Sequence, residues 1–421
     1  MTGERKAGSS PIATHAAITF AGFMVANVLG YVLYALLSRV LGVEAYGTLS
    51  SLFAILVIVS APALIAQTVA AKLASDLVAD PSRLAGLART IESIAVRVAL
   101  ATAAALAALA VPLASFLHID DPLLVVLTAL SLCGAIVLPF LRGILQGTSS
   151  FRAFALSNVA ENLGKVVFAP VLGSVAGLRG ALAGVALGYL AAAAYTFVAA
   201  RPHRQGASVA LAVRGLVSSV AGVALAVLCI NVLLFYDVVL AKRYLDAHSA
   251  GLYSAAALAC RAVYAVIVFI PTVLLPQTAD RSARGERTRW LFVQALALTV
   301  AICLCAVALY VLVPGWVITT ITGRAFLAGA PFLAPYVVAI AALATTNVIA
   351  TYNIARGRFR FVAPLVLVVL GEIAAVVIRH RSAADLLQTI AVGHSLALLA
   401  CASSLGGRRR GAAAAGGRSA A

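Results

Sequence analysis

Apolar stretches of about twenty residues recur from one end of this chain to the other, and that recurrence constrains its fold more than any motif. A helix needs roughly 20 apolar residues to cross the hydrocarbon core of a bilayer. Candidate spans read at 15–38, 48–71, 93–116, 123–141, 154–176 and 180–200, then at 214–236, 250–278, 290–313, 326–350, 360–378 and 385–405. The last is the most diluted, carrying Gln388, His394 and a serine pair. These twelve spans leave short connections, the longest being Lys72 to Glu92 and the segment after Arg201, so no loop has room for a catalytic domain. Of 421 residues, 63% are apolar and only 11% charged, against about a quarter charged in a soluble domain. Mean hydropathy is +1.06. That excludes a cytosolic enzyme, a disordered regulator and a nucleic-acid-binding module, in spite of a net charge of +17.

The basic excess follows from topology instead, because Lys and Arg accumulate in cytoplasmic loops. With the N-terminus inside, the cytoplasmic segments collect 21 basic residues. They run from Arg5 and Lys6 through Lys72, Arg83, Arg89, Arg142, Arg152, Arg201, Arg204, Arg214, Arg281, Arg284, Arg287, Arg289, Arg356, Arg358 and Arg360 to Arg408, Arg409, Arg410 and Arg418. The outer loops collect 7, and Arg97, Lys165 and Arg261 stay within helices. One missed helix would scramble every later loop, so this bias predicts twelve crossings of the cytoplasmic membrane with both termini cytoplasmic. Arg5 and Lys6 before an apolar run could mimic a signal peptide, but no small-residue cleavage site follows and the run is of spanning length. The cysteines Cys133, Cys229, Cys260, Cys303, Cys305 and Cys401 all fall in apolar runs without metal-ligand spacing and read as small hydrophobes.

The two halves are alike. At an offset of 204, SRVLGVEAYGTLSS (38–51) and KRYLDAHSAGLYSA (242–255) share Arg39/Arg243, Leu41/Leu245, Gly47/Gly251 and Ser50/Ser254. A second likeness pairs Gln146, Gly147, Phe151 and Arg152 with Arg356, Gly357, Phe359 and Arg360. Six spans per half return the chain to its starting side, which makes the repeat parallel about an axis along the membrane normal. The expected fold is therefore an all-α polytopic membrane protein with twelve transmembrane helices in two six-helix lobes. The lobes are 1–200 and 214–405, the cytoplasmic linker is 201–213, and the basic tail 406–421 reads as disordered.

Three segments carry a resemblance: SRVLGVEAYGTLSSLFAILVIVSAPALIAQ, RGILQGTSSFRAFALSNVAENLGK, and LFYDVVLAKRYLDAHSAGLYSAAALACRAVYAVIVFIPTVLLPQ. They are similar to the polysaccharide-export and oligosaccharide-flippase branch of the multidrug/oligosaccharidyl-lipid/polysaccharide exporter superfamily. The resemblance implies a V of two lobes that alternates access. Its cargo would be an undecaprenyl-pyrophosphate-type lipid-linked oligosaccharide, moved across the cytoplasmic membrane for surface polysaccharide assembly. It further implies membrane lipids, and a polysaccharide polymerase and glycosyltransferases of the same pathway, as partners. Some relatives carry fourteen spans, where this chain has room for twelve.

Charges inside spanning helices are costly and usually face a cavity or a partner. At about 1.5 Å per residue, Glu161, Lys165, Arg261 and Glu372 lie roughly 13–20 Å into their helices. Glu161 and Lys165, at i and i+4, share a face that Asn158 and Asn162 widen. They read either as a self-neutralised pair or as a polar cavity wall whose lysine serves an anionic ligand. Glu372, on the repeat partner of that helix, is either a second cavity group or a protonated acid bonded to a neighbouring helix. Arg261 has no acid at i±3 or i±4, so it awaits Glu372, water or a phosphate, whose oxygens its planar fork suits. Arg39 and Arg243, with Asp237 nearby, either bind substrate or sit at helix ends as caps and snorkelling charges. Asn347 and Thr351 share a polar stripe that glues helices or lines an aqueous path. Asp120 and Asp121 read as a turn.

No phosphate-cradling GxxxxGK[ST] motif occurs, which argues against direct nucleotide drive. No cofactor or metal is called for; coupling to a proton, a sodium ion or the membrane potential stays open. A cation-coupled drug antiporter of the same superfamily is the main rival, since paired acids would mark it and the deep charges here balance. A membrane glycosyltransferase conflicts with the short loops, and a transport-inactive scaffold is the remaining alternative.

Overall fold

The computed structural model describes residues 11–204, 216–284, 286 and 288–406, and every regular element among them is helical. Lipid offers no water to an amide, so each apolar run closes its hydrogen bonds within itself. In chain order the helices are α1 (Pro11–Asp76), α2 (Pro81–Ala108), α3 (Ala110–Phe116), α4 (Leu123–Gly147) and α5 (Phe151–Ala199). Then come α6 (Leu216–Tyr244), α7 (Ala247–Ile267), α8 (Phe269–Ala283), α9 (Arg289–Leu312) and α10 (Pro314–Thr322). The last are α11 (Leu333–Ala355), α12 (Val362–Ile378) and α13 (Ala383–Ser403). Among the described residues nine helices are long and apolar enough to cross a membrane, which makes this a multi-pass membrane protein, and α12 is a shorter apolar helix of 17 residues.

Two of the nine fold back on themselves. α1 has 66 residues and turns at Gly42, whose φ of 76° and ψ of 179° are closed to side chains with a Cβ; α5 has 49 residues and turns at Gly177, with φ 57° and ψ −141°. The expected loops 39–47 and 177–179 thus shrink to kinks, one at Gly42 and one over Ala176 and Gly177. The expected connection from Lys72 to Glu92 shrinks too, because α1 runs on to Asp76 and α2 starts at Pro81. Asp80 caps α2, accepting from the Arg83 amide at 3.1 Å. The expected span 250–278 breaks at Val268, since Pro271 has no N–H to give the carbonyl of Ile267. A loop expected after residue 313 instead contains α10 and a 3₁₀ turn, Arg324–Phe332. Of the linker 201–213 only Arg201–Arg204 is described. The rest of it, the tail beyond Gly406, and Arg5, Lys6, Arg214, Arg287, Arg408, Arg409, Arg410 and Arg418 lie outside the described residues.

α1 packs along α4 and α5, and α2 on α4, while α11 packs on α7, α8, α9 and α13, and α12 on α13. α1 also reaches across to α6, α7 and α10, so space between the two groups forms along α1. Large aliphatic side chains such as Val175 and Leu312, 82% and 77% exposed, cover the outside, the inverse of a soluble surface and as lipid requires.

Candidate functional site

A cavity of about 430 Å³ lies between the two groups of helices. α1 supplies Asn27, Tyr31 and Tyr34, which at i, i+4 and i+7 fall on one helical face. α5 supplies Asn158, Glu161 and Asn162, α4 supplies Arg142, and α6 and α7 supply Phe235, Arg261 and Tyr264. The asparagines answer their own amides locally: Nδ2 of Asn27, Asn158 and Asn162 donates to the carbonyls of Phe23, Phe154 and Asn158. Their carbonyl ends remain for the cavity.

On the α4–α5 wall Glu161 stands between two cations. Its Oε2 lies 2.7 Å from an Arg142 guanidinium nitrogen and its Oε1 2.7 Å from Lys165 Nζ. Arg142 is fixed further by donating to Oγ and the carbonyl of Ser157, each at 2.8 Å. Lys165 sits behind Glu161 over the ring of Tyr189, 4.6 Å from its centroid. Sequence reasoning missed Arg142. It counted the residue in a cytoplasmic loop because it follows the apolar run 123–141, whereas α4 continues to Gly147 and holds Arg142 at 6% exposure. Ser157, Glu161 and Lys165 fall on one helical stripe, but their charges balance and gave no signal that a further cation belongs there.

On the facing wall Arg261 meets Asp237, 2.7 Å from its Oδ1. Asp237 is 1% exposed; its Oδ2 accepts from the hydroxyls of Tyr253 and Tyr336. The Arg261 guanidinium lies over Phe235, 4.7 Å from the ring centroid, and its carbonyl accepts from Tyr31 of α1 at 2.8 Å. Its Nε is buried without a hydrogen-bond partner. Three cations and two acids therefore belong to this cavity and its supporting shell, a surplus of one positive charge in a low-dielectric setting.

A family profile described as polysaccharide biosynthesis protein matches residues 12–282. The chain belongs to that family. Among solved structures it resembles the inward-facing conformation of a multidrug resistance MATE family transporter of the MOP superfamily. That match has 12% identity over 92% of this chain and 96% of the other, with a TM-score of 0.75. Lipid II flippase MurJ in an inward closed conformation matches with 14% identity over 92% and 87%, TM-score 0.73. The outward-facing conformation of a multidrug resistance MATE family transporter matches with 12% identity over 92% and 92%, TM-score 0.62. At such identities the likeness is one of fold. No curated protein matches the sequence.

In this polysaccharide biosynthesis family member, several sequence-selected residues lie away from the cavity. Lys165 is buried behind Glu161 and reaches no ligand space, because the carboxylate and Tyr189 occupy its ammonium. Glu372 is also outside the cavity: it accepts from Tyr236 at 2.7 Å and lies 3.6 Å from His394, beside a groove between α12 and α13. It is not the acid that meets Arg261; Asp237, expected near the outer end of its helix, is. Asn347 bonds Tyr264 and, with Thr351, stands outside the lining. Arg39 and Arg243 bind backbone carbonyls at helix ends, as caps do, and neither is among the residues that line the cavity. Asp121 pairs with Arg179 at 2.6 Å and accepts from the Leu123 amide, a turn as expected.

Proposed function

We propose that this chain is a flippase for an anionic, lipid-linked oligosaccharide of the undecaprenyl-pyrophosphate type, feeding surface polysaccharide assembly. The observation that carries the reading is the cavity's positive surplus, with an arginine on each wall and an unpartnered Arg261 Nε between them. A diphosphate offers acceptors to planar guanidinium forks on both sides, bonds that are strong where water is scarce. Tyr31, Tyr34, Tyr46 and Phe235 supply flat apolar faces for sugar C–H surfaces, and three asparagine carbonyls accept from hydroxyls. A cationic drug finds less here, since Glu161 is matched by two cations and Asp237 by one. The reading includes twelve crossings, with α1 and α5 each crossing twice about their kinks and α12 crossing once. Both ends would be cytoplasmic, and the cavity would face the cytoplasm, a reading supported by the higher TM-score against the inward-facing MATE transporter, 0.75, than against the outward-facing one, 0.62.

The test is binding of undecaprenyl diphosphate and of uncharged undecaprenol to the purified protein in lipid nanodiscs, read by native mass spectrometry. Selective retention of the diphosphate, lost in Arg261→Ala, is the expected result. Equal retention of both lipids overturns the anionic-headgroup reading. For the full activity, a deletion strain should accumulate a lipid-linked sugar on the cytoplasmic leaflet.

A further inference from the structure

The chain turns at Gly42, at residues 117–122, at Gly177 and at residues 245–246 gather at one end of the bundle, which we call the Gly42 end. There the two halves touch through residues that the 204-residue repeat makes equivalent. Arg39, in the first half, donates to the carbonyls of Thr320 at 2.7 Å and Ile321 at 2.9 Å in α10, and to Ala35 of its own helix at 2.7 Å. Ser38 donates to Thr322 at 3.1 Å, and the Gly323 amide answers Thr319 at 3.0 Å. The last four carbonyls of α10, which its own ladder leaves unpaired, are thereby all satisfied, three of them from the opposite half.

Arg243, in the second half, performs the same act in reverse. It donates to the carbonyl of Phe116, the last residue of α3, at 3.1 Å. The preceding carbonyls of Leu113, Ala114 and Ser115 are taken by the amides of Leu117, Ile119 and His118. Arg243 also lies 3.0 Å from His118 Nε2, and as arginine only donates, that nitrogen accepts. Arg39 and Arg243 differ by 204 residues, and so do the carbonyl residues they cap, Phe116 and Thr320. The contact is therefore self-complementary in the way of a two-fold interface, where i meets j and j meets i. The axis runs through Gly47 and Gly251, also 204 apart. A Cβ on Gly47 would lie 2.8 Å from the Gly251 nitrogen, and one on Gly251 would lie 2.1 Å from the Val43 oxygen. Just inside that contact, Ser50 and Ser254, again equivalent, line the cavity.

We propose that Arg39 and Arg243 form a reciprocal clasp that latches the Gly42 end shut, acting as positioning residues that set how often the cavity opens there. Each arginine neutralises the negative end of a helix belonging to the other half. Separation at the axis strips both helix ends at once, so the two contacts break together. The inference stands on geometry alone and does not rest on the identity of the cargo.

The experiment is double electron–electron resonance on the full chain in nanodiscs without substrate. The six native cysteines are replaced, and spin labels are placed at Leu123→Cys and Ala247→Cys, exposed positions of opposite halves at the Gly42 end. The parent should give one short distance. Arg39→Ala and Arg243→Ala should each raise the longer-distance fraction by about tenfold, the factor that one charge-assisted hydrogen bond supports, and the double variant should raise it further. Arg381→Ala, an exposed arginine near the same end, should leave the distribution unchanged. A double variant that stays monodisperse and keeps the parent distribution overturns the clasp. If the alanine pair fails to fold, Arg39→Met with Arg243→Met decides: the long apolar side chains keep the packing and remove every donor, so the longer distance should appear, and its absence likewise overturns the proposal. Loss of cargo binding with an intact clasp signature would count against the flippase reading only.

Discussion

Neutralising Glu161 is the sharpest perturbation of the cavity wall, because this one carboxylate serves two cations. Each contact is 2.7 Å long. At an effective dielectric of ~20 each is worth about 6 kcal/mol of gross attraction, offset by the mutual repulsion of the cations and by desolvation of all three groups. Glu161→Gln removes both attractions and leaves two buried cations facing each other, so the expected loss is about 3–5 kcal/mol. Lys165→Met is milder. It leaves Glu161 with Arg142, replaces a stem that already packs on Tyr189, and should cost about 1–3 kcal/mol. The double variant returns the local charge to its original value but leaves Arg142 unpaired, so it should fall between the two singles rather than recover.

Thermal unfolding of the purified variants in one detergent, followed by the fluorescence of Trp290 and Trp316, reads the order directly. The expected ranking is parent, Lys165→Met, double variant, Glu161→Gln. Full recovery in the double variant would show that Glu161 and Lys165 form a closed pair and that the Arg142 contact contributes nothing. Equal losses for the two singles would refute the shared-carboxylate argument from the other side.

Asp237→Asn should destabilise by about 3–5 kcal/mol, since it strands Arg261 beside two tyrosine hydroxyls, while Asp237→Asn with Arg261→Met should be better tolerated, as a double-variant cycle by melting will report. Single cysteines at Ser149 and at Asp120 should react with a membrane-impermeant thiol reagent from opposite sides of the membrane; labelling from one side would remove the twelve-crossing topology. The guanidinium of Arg179 hydrogen-bonds Asp121 and holds its carboxyl below the usual value. That contribution is present above the unfolded carboxyl's pKa of about 4 and is lost as pH falls through the lower folded value. Arg179 is exposed and the pair is screened by solvent, so the loss should be small and vanish in Arg179→Ala; melting curves that differ between pH 7 and pH 3 equally in both proteins would contradict it.

The helical plan was legible because lipid enforces it: an apolar run of spanning length has one way to satisfy its amides. What escaped were the features that lie where hydropathy is blind. A hydropathy ruler ends a span at the first charge, so Arg142 fell outside helix 4, although Ser157 and Glu161 on the next helix were waiting for it. Of the two readings of Lys165, the geometry matches the pair with Glu161; helical spacing fixes the face of a side chain but not which of two neighbours lies deeper. For Glu372 the repeat offered a place in the cavity and the cost of burial offered a bond to a neighbouring helix; the structure shows such bonding, to Tyr236 and beside His394 inside the second half. The stripe of Asn27, Tyr31 and Tyr34 on α1 was present in the sequence at helical spacing and needed only the 3.6-residue period applied to polar and aromatic residues.

The repeat succeeded at one place and failed at another, and the difference has a physical cause. Residues on the axis at the Gly42 end face their own equivalents, so Gly47 must suit Gly251 and the cap that Arg39 gives α10 is mirrored by the cap that Arg243 gives α3. Self-pairing ties the two halves to the same residue types. The cavity faces a single ligand space instead, and nothing there requires the two walls to match. One wall carries Arg142, Glu161 and Lys165 and the other Asp237 and Arg261, and no member of either set has a like residue at the 204 offset. Yet Tyr31 and Phe235, which are at that offset, both line the cavity as rings, and Asn27 and Asn231 both return an amide to the carbonyl four residues back. Symmetry thus persists in the frame and in the aromatic lining and ends at the charges.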